Sequence, residues 1–429
     1  LNTLSFLGLM RTIYGRKLPD IERIQSKGLL AIKIAQHYAL RIDFLDERVC
    51  RHLAQLYRHN LTLPSERVDE LLARAVAPGW HERVHDVERT PLASASVGQV
   101  HRARLDDGSP VVVKVIKRDF KSSFMKDIVS LRRLLKTAIW VYPKLRKVFD
   151  PMGILDHIEE YTLNELDLRN EIEGQRILRG IRDENAERYD LERLRFHRLY
   201  EGLSGENVLV SEFVQGETFD ELLERGALPY ERLLQLFDLH GFYVFGTGVF
   251  HGDIHPGNIV LEPDGRFCLV DTSAISAIGA RIKNGLFRFF VALSAYDYDA
   301  CARHLNEMAL KPIAGHDYQR FRERFFALYR NFAGKSVSEV SLTKKMMDTI
   351  KLGVHSGMEF ERGMFSIIKS LMYLDGMVLR CKPTAVLMED MRPFIGRLAA
   401  LIDGPLADAQ GPRWLGSVTR VASRSETIS

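Results

Sequence analysis

The stretch that decides the reading is His251-Gly252-Asp253-Ile254-His255-Pro256-Gly257-Asn258, continued a hairpin later by Val270-Asp271-Thr272. Between them, residues 258–261 (NIVL) and 266–270 (RFCLV) are strand-like runs around Glu262-Pro263-Asp264-Gly265, a turn sequence. Asp253 and Asn258 thus fall on a loop between a helix and a hairpin, and Asp271 ends the hairpin's second strand. A loop carboxylate, an amide oxygen and a second carboxylate are the parts that phosphoryl transfer uses. One acid orients or deprotonates the acceptor, and two oxygen ligands hold Mg²⁺ on the phosphates. A polar turn closed by Asp and Asn caps explains any one of these residues, but poorly all three at this spacing. His251 and His255 flank a turn rather than sharing a helix face, and no third ligand is evident. They are read as structural, not as a metal pair.

Upstream, residues 97–105 and 111–116 form two further strand-like runs joined by Asp106-Asp107-Gly108-Ser109-Pro110. The second run, VVVKVI, is apolar except for Lys114, and a Lys inside a buried strand is costly unless paired. Its functional reading is a phosphate clamp held by a helix Glu; the alternative is a snorkelling edge-strand Lys. The Asp253, Asn258 and Asp271 set favours the clamp. Before the first run stands LASASVGQVH, residues 92–101, whose small residues let backbone approach phosphates closely. It lacks the usual glycines, and from composition alone it is an ordinary loop.

The rest of the chain is mostly helical in pattern. Residues 1–75 read as helices, with a start at Pro64-Ser65-Glu66 and a break at Pro78-Gly79-Trp80. Phe124, Ile128, Leu131, Leu135 and Ile139 form a stripe ending near Pro143, and a second helix is expected to run from Ile158 through Leu178. Residues 207–214 read as a strand, 219–248 as helix, and 281–405 as helix broken near Gly315 and Pro383. The expected class is α+β with two lobes. A helical N-terminal extension occupies 1–86, a small β-containing lobe 87–214 with a helical insertion at about 118–160, a helical lobe 215–410, and a Ser-, Thr- and Arg-rich tail 411–429.

Composition sets the outer bounds. The chain has 429 residues, 46% of them hydrophobic and 27% charged, which excludes wholesale disorder. Four Cys, at 50, 268, 301 and 381, form no CxxC pair, so a disulfide scaffold and a Cys-rich zinc module are excluded, and a reducing compartment is expected. The net charge of +4 does not imply nucleic acid. It is unevenly spread: Lys117 to Lys147 holds ten Lys or Arg against two acids, +8 in all. A basic helix ending in Trp140 and Tyr142 suits an anionic membrane surface, with a solvated helix face as the alternative. No apolar run of ~18 residues exists to span a bilayer. The first residues lack a basic region and a clear cleavage site, which argues against a secretory signal. The expected location is cytoplasmic, peripheral on a membrane.

These motifs together resemble the UbiB/ADCK family of atypical protein-kinase-like proteins, from about residue 25 to 385. LASASVGQVH resembles the family's Ala-rich loop, placing Ala93, Ser94, Ala95, Ser96 and Val97 at the nucleotide. VVVKVIKR resembles its VAVK strand. NELDLRNE, residues 164–171, resembles its ExD helix, with Glu165 and Asp167, and makes Glu171 the partner of Lys114. VLVSEFVQG resembles its hinge, where Glu212 and Val214 would offer backbone groups to adenine. HGDIHPGN and Asp271 resemble its catalytic and metal loops, with Asp253 catalytic and Asn258 and Asp271 on Mg²⁺. KIAQ, residues 33–36, resembles the KxGQ signature, with Ala35 in place of Gly. Thr272-Ser273 stand where Phe-Gly is usual, which restricts the backbone after Asp271, since Gly alone takes φ > 0 freely.

The resemblance implies a bilobal protein-kinase-like fold and an ATP- and Mg²⁺-dependent ATPase that supports membrane lipid or ubiquinone biosynthesis. Its substrate would be a lipid or quinone precursor. Lys33, Gln36, Glu165 and Asp167 would form a regulatory plug, Lys against two carboxylates, where a protein kinase admits its peptide. Two other readings stand beside it. One is a small-molecule phosphotransferase, because HGDxHPGN also resembles aminoglycoside and choline kinases. The other is a nucleotide-binding pseudokinase scaffold.

Overall fold

A computed structural model of the chain describes residues 3–15, 17–39, 45–57, 63–76, 78–94, 97–116, 120–142, 151–360 and 364–402. Two compact units emerge, one from residues 1–173 and 197–213, the other from 174–196 and 214–420. The expected tail, 411–429, lies outside the described residues.

The first unit is built on an antiparallel sheet. Its strands are β1 (Val84–His85), β2 (Ala93–Ser94), β3 (Gly98–Leu105), β4 (Pro110–Ile116) and, later in the chain, β6 (Val208–Glu212), in the order β1-β3-β4-β6 with β2 added to β3. The two long strands match the sequence pattern. Gly108 at the turn has φ 80°, the left-handed conformation that glycine adopts without cost. In β4, Val111, Val113 and Val115 point one way into a core shared with Val68, Trp80, Val208 and Val210, while Val112 and Lys114 face the other side.

Helices cover this sheet. They are α1 (Thr3–Ile13), α2 (Ile21–Gln25), α3 (Leu29–Ala39), α4 (Glu47–Leu53), α5 (Ser65–Ala75), α6 (Trp80–Arg83), α7 (Phe120–Val141) and α8 (Pro151–Glu165). The predicted stripe of α7 is largely buried: Phe124, Ile128, Leu131 and Leu135 join Leu9, Leu30, Ile34, Leu155 and Ile158 in a second core. The expected single helix over Ile158–Leu178 is instead two. α8 ends at Glu165, and α9 (Arg169–Asn185) begins after Leu166-Asp167-Leu168. Leu166 and Leu168 are both buried, the Leu168 N–H donates to Glu206 O at 2.9 Å, and Asn170 Nδ2 donates to Asn164 O at 3.1 Å. Burying two leucines one residue apart turns the chain where a straight helix would keep going.

The second unit is mainly helical: α10 (Phe219–Glu224), α11 (Tyr230–Gly241), α12 (Ala280–Ser294), α13 (Tyr298–Met308), α14 (Gly315–Tyr329), α15 (Leu342–His355), α16 (Met364–Cys381), α17 (Leu387–Asp390) and α18 (Arg392–Ile402). α10 opens with a capping box between Thr218 and Glu221. α11 runs into a π-helical turn, Phe242–Thr247, which Gly248 ends at φ 78°. Between the helices lie two small sheets. One orders β5 (Leu194–Arg195), β10 (Phe267–Leu269), β9 (Ile259–Leu261) and β7 (Glu217–Thr218). The other pairs β8 (Val249–His251) with β11 (Ile275–Ala277). Among the described residues no helix is long and apolar enough to cross a membrane.

Candidate active site

In the first unit, Lys114 and Glu171 meet. Lys114 Nζ lies 2.6 Å from Glu171 Oε2, with 15% and 1% of the side chains exposed. Glu171 sits in the first turn of α9, where unpaired N–H groups favour negative charge. The strand Lys is therefore a buried, paired cation, as the clamp reading requires.

Next to it is the small-residue loop. Ala93 pairs with Val100 and Ser94 with Gln99 across β2 and β3. Val97 is buried, and a Cβ added at Gly98 would come 2.7 Å from Val115 O, so β3 meets β4 where only glycine fits. Ser94 Oγ is buried and, among the described residues, has no hydrogen-bond partner. Ala95 and Ser96 lie outside the described residues. Glu212 ends β6, its N–H donates to Arg198 O at 2.8 Å, and Val214 follows the strand.

The plug residues only partly assemble. Lys33 is 5% exposed, ion-pairs with Glu165 and lies 5.3 Å from the centre of the Tyr161 ring. Gln36 Nε2 donates to Leu56 O at 2.9 Å. Asp167 does not complete a triad with Lys33. It takes the Arg169 guanidinium in a two-pronged contact, at 2.8 Å to Nε and 2.6 Å to Nη2. The helix break explains this: Glu165, the last residue of α8, reaches Lys33 on α3, whereas Asp167 accepts the Arg169 N–H and caps the start of α9.

The second unit holds Asp253, Asn258 and Asp271. His251, at the end of β8, is nearly fully buried. The Asp253 N–H donates to His251 Nδ1 at 3.0 Å, so Nε2 carries the ring proton and donates to Asp271 O. One imidazole thus ties the loop of Asp253 to the segment of Asp271, a specific form of the structural role expected of it. His255 caps the following turn through the Gly257 N–H, at 3.1 Å. Asn258 Nδ2 donates to Asp253 O at 3.2 Å, and the Val270 N–H donates to Asn258 O at 3.0 Å, so the hairpin sets Asn258 opposite Val270, the residue before Asp271.

Thr272 and Ser273 are both held where they follow Asp271. Ser273 donates to Asp271 Oδ1 through both its N–H (3.1 Å) and its hydroxyl (2.7 Å). Thr272 is fully buried, and its carbonyl meets α9 at Gly174, where an added Cβ would lie only 1.9 Å from Thr272 O.

One residue of this site went unnoticed in the sequence. Lys369, on α16, places Nζ 3.0 Å from Asp253 Oδ1. Burial pushes the Asp253 carboxyl up, but Lys369 and His255 together outweigh it and hold the group below the usual carboxylate range. Asp253 is therefore ionised at neutral pH. Among the described residues no three His, Cys, Asp or Glu side chains cluster as a metal site.

The fold and these residues define an atypical kinase-like protein. Residues 56–305, more than half of the chain, match the ABC1 atypical kinase-like domain, and the chain belongs to that family. Among relatives is the "Probable protein kinase UbiB" of Glaesserella parasuis serovar 5, 27% identical over 390 residues that cover 87% of this chain and 68% of the relative. The protein of the same description from Vibrio parahaemolyticus is 25% identical over 382 residues, with 87% and 68% covered. Both bear out the UbiB likeness read from the motifs and the kinase-like α+β fold. A solved structure of Rv3197 with erythromycin, from Mycobacterium tuberculosis, is 21% identical, covers 89% of this chain and 95% of its own, and has a TM-score of 0.49.

Proposed function

We propose that this chain is an ATP- and Mg²⁺-dependent atypical kinase or ATPase that serves membrane lipid or ubiquinone biosynthesis. The observation that carries the reading is the buried Lys114–Glu171 pair, at 2.6 Å. A cation so placed on a strand has a burial cost that a phosphate ligand would reward. In this reading Lys114 holds phosphate oxygens, and Ala93, Ser94, Ala95, Ser96 and Val97 line the nucleotide. Glu212 and Val214 would supply backbone groups to adenine. Asn258 and Asp271 would hold Mg²⁺, which neutralises charge on the transferred phosphoryl group. Asp253, ionised and oriented by Lys369 and by its backbone bond to His251, orients or deprotonates the acceptor.

The Lys33–Glu165 pair supports a non-peptide acceptor, a lipid or quinone precursor. Strong phosphorylation of generic peptides by the intact protein would reject that part of the reading. An anionic membrane is the proposed partner surface. Trp140 is 83% exposed at the end of α7, with Val141 and Tyr142 exposed beside it, and Lys126, Arg133 and Lys136 are exposed along the same helix. A second reading, a nucleotide-binding scaffold without turnover, draws on the double hold of Ser273 on Asp271. Turnover of Mg-ATP, measured with and without anionic liposomes, separates the two. Nucleotide binding without phosphate release under either condition would favour the scaffold.

A further inference from the structure

The two faces of the first unit's sheet differ in how they are covered. Val111, Val113, Val208 and Val210 close one face into a core, each no more than 1% exposed. On the other face, β3, β4 and β6 set side chains in rows. Val100, Lys114 and Leu209 make one row, and Arg102, Val112 and Ser211 make the next. Leu209 joins the helical core with Val97 and Ile116. Val100 and Val112 stay half-buried, and Arg102 is exposed. Past the second row, the Phe213 N–H donates to Pro110 O at 3.2 Å, and the Arg102 guanidinium lies 4.6 Å from the centre of the Phe213 ring. Val100, Val112 and Phe213 thus form a half-open apolar strip on the face that carries Lys114.

A flat apolar ligand body would take this strip out of water. The nucleotide reading gives that body a direction, with phosphates at Lys114 and the base at Glu212. A strand rises about 3.3 Å per residue, and side chains two apart share a face. A base reaching Glu212 from Lys114 therefore lies on Val112 and beside Ser211, the residue before Glu212. Ser211 is the one uncharged polar side chain of the two rows. It is 5% exposed, and among the described residues its hydroxyl has no hydrogen-bond partner. Unlike Ser94 Oγ, it is not sealed from solvent. A hydroxyl oxygen has two acceptor sites, which an amine on the edge of a base can use.

We propose that Ser211 selects an adenine base: its Oγ accepts a hydrogen bond from the 6-amino group of a purine lying on Val112. The proposal rests on the nucleotide reading above and adds to it a side chain that reads the base, where Glu212 and Val214 offer backbone groups only. Removal of the hydroxyl should weaken binding only of a base that carries the amine.

The test uses the full chain and calorimetry with two probes, Mg-ADP and the magnesium complex of purine riboside diphosphate, which has hydrogen in place of the 6-amino group. The parent should prefer ADP. Ser211→Ala should weaken ADP about three- to tenfold, the factor one hydrogen bond confers, and change purine riboside diphosphate less than about twofold. Ser211→Thr keeps the hydroxyl and suits a strand, so the ratio of the two affinities should stay at the parent's value, since any crowding by the added methyl acts on both probes alike. An unchanged ratio in Ser211→Ala would overturn the proposal. Equal weakening of both probes would also overturn it, by assigning Ser211 to the shared ribose or to the fold. A parent that binds neither probe would reject the nucleotide reading itself, whereas ADP binding with no effect of Ser211 on the ratio would reject this proposal alone.

Discussion

Lys369 Nζ stands 3.0 Å from Asp253 Oδ1, so a lysine far downstream in the chain holds the carboxylate proposed to face the acceptor. Asp253 has a folded-state pKa below its ordinary value, and such a group contributes stability above about pH 3.8 that is lost as pH falls through the folded pKa. Lys369→Met removes the main favourable charge and leaves the burial. The Asp253 pKa should then rise, visible by carboxyl ¹³C titration, and the acidic limb of any turnover profile should move to higher pH. A titration curve identical to the parent's would show that Lys369 does not govern this acid.

Glu171 is the most buried charged residue of the site, at 1% exposure. Glu171→Gln removes the carboxylate charge that lies 2.6 Å from Lys114 Nζ. Breaking one side of a buried pair typically costs ~3–5 kcal/mol. A lowered urea midpoint and a weakened Mg-ATP affinity are expected together. Loss of stability with nucleotide affinity intact would assign the pair to structure alone.

Asp271 is a proposed Mg²⁺ ligand whose Oδ1 is already held by Ser273. Asp271→Asn keeps the turn but removes the charge. The parent should gain about 2.7 kcal/mol of stability from Mg-ATP at a hundred times its Kd, and the variant should gain much less. An equal melting shift for both proteins would mean that Asp271 does not bind the metal. Ser273→Gly, which removes the hydroxyl donor to that carboxylate and keeps the backbone one, should leave Mg-ATP binding in place and allow faster turnover if the hydroxyl's hold is a brake.

The sheet and the ligand loop were legible because their patterns are local. Short apolar runs around Asp-Gly turns mark β3 with β4 and β9 with β10, and Asp253, Asn258 and Asp271 lie within one short stretch. The break between α8 and α9 was not. Leu166-Asp167-Leu168 has no Pro or Gly, and the forces that bend it come from Glu206, Asn164 and the burial of both leucines. The family resemblance set Asp167 with Lys33, whereas the turn after α8 gives it to Arg169. Lys369 was equally hidden, because on its own helix it looks like an ordinary polar-face lysine. Gly174 did carry a signal, since a glycine inside a helix costs ~1 kcal/mol against Ala and so points to a close neighbour.

That neighbour is Thr272 O, and it makes Gly174→Ala a sharp test of how the segment after Asp271 is held. A Cβ 1.9 Å from a backbone oxygen cannot be accommodated without movement. Overpacking of this kind costs ~1–3 kcal/mol. The variant should lose stability and also weaken Mg-ATP binding, because the displaced backbone leads directly to Asp271. Wild-type stability would show that α9 and this segment separate freely.

The basic helix α7 gives the last prediction, and its ion pairs decide which residues test it. Arg132, on the same basic helix, ion-pairs with Asp156 and Glu159 of α8 and is 27% exposed. Reversing it would set like charges together and loosen α7 from α8, confounding any membrane assay. Lys126, Arg133 and Lys136 are exposed instead, near Trp140, Val141 and Tyr142 and beside α1, where Leu4 and Leu7 are also exposed. Each basic group near an anionic surface contributes ~1 kcal/mol, screened over ~8 Å at physiological salt. Changing Lys126, Arg133 and Lys136 to Glu should therefore abolish sedimentation with anionic vesicles, and raising salt should weaken the parent's binding, while melting in solution stays near the parent's. Trp140→Ala should weaken binding at every salt concentration, since its contribution is apolar. Equal sedimentation of the parent and the triple variant would leave α7 as a solvated face and remove the membrane from the proposed function.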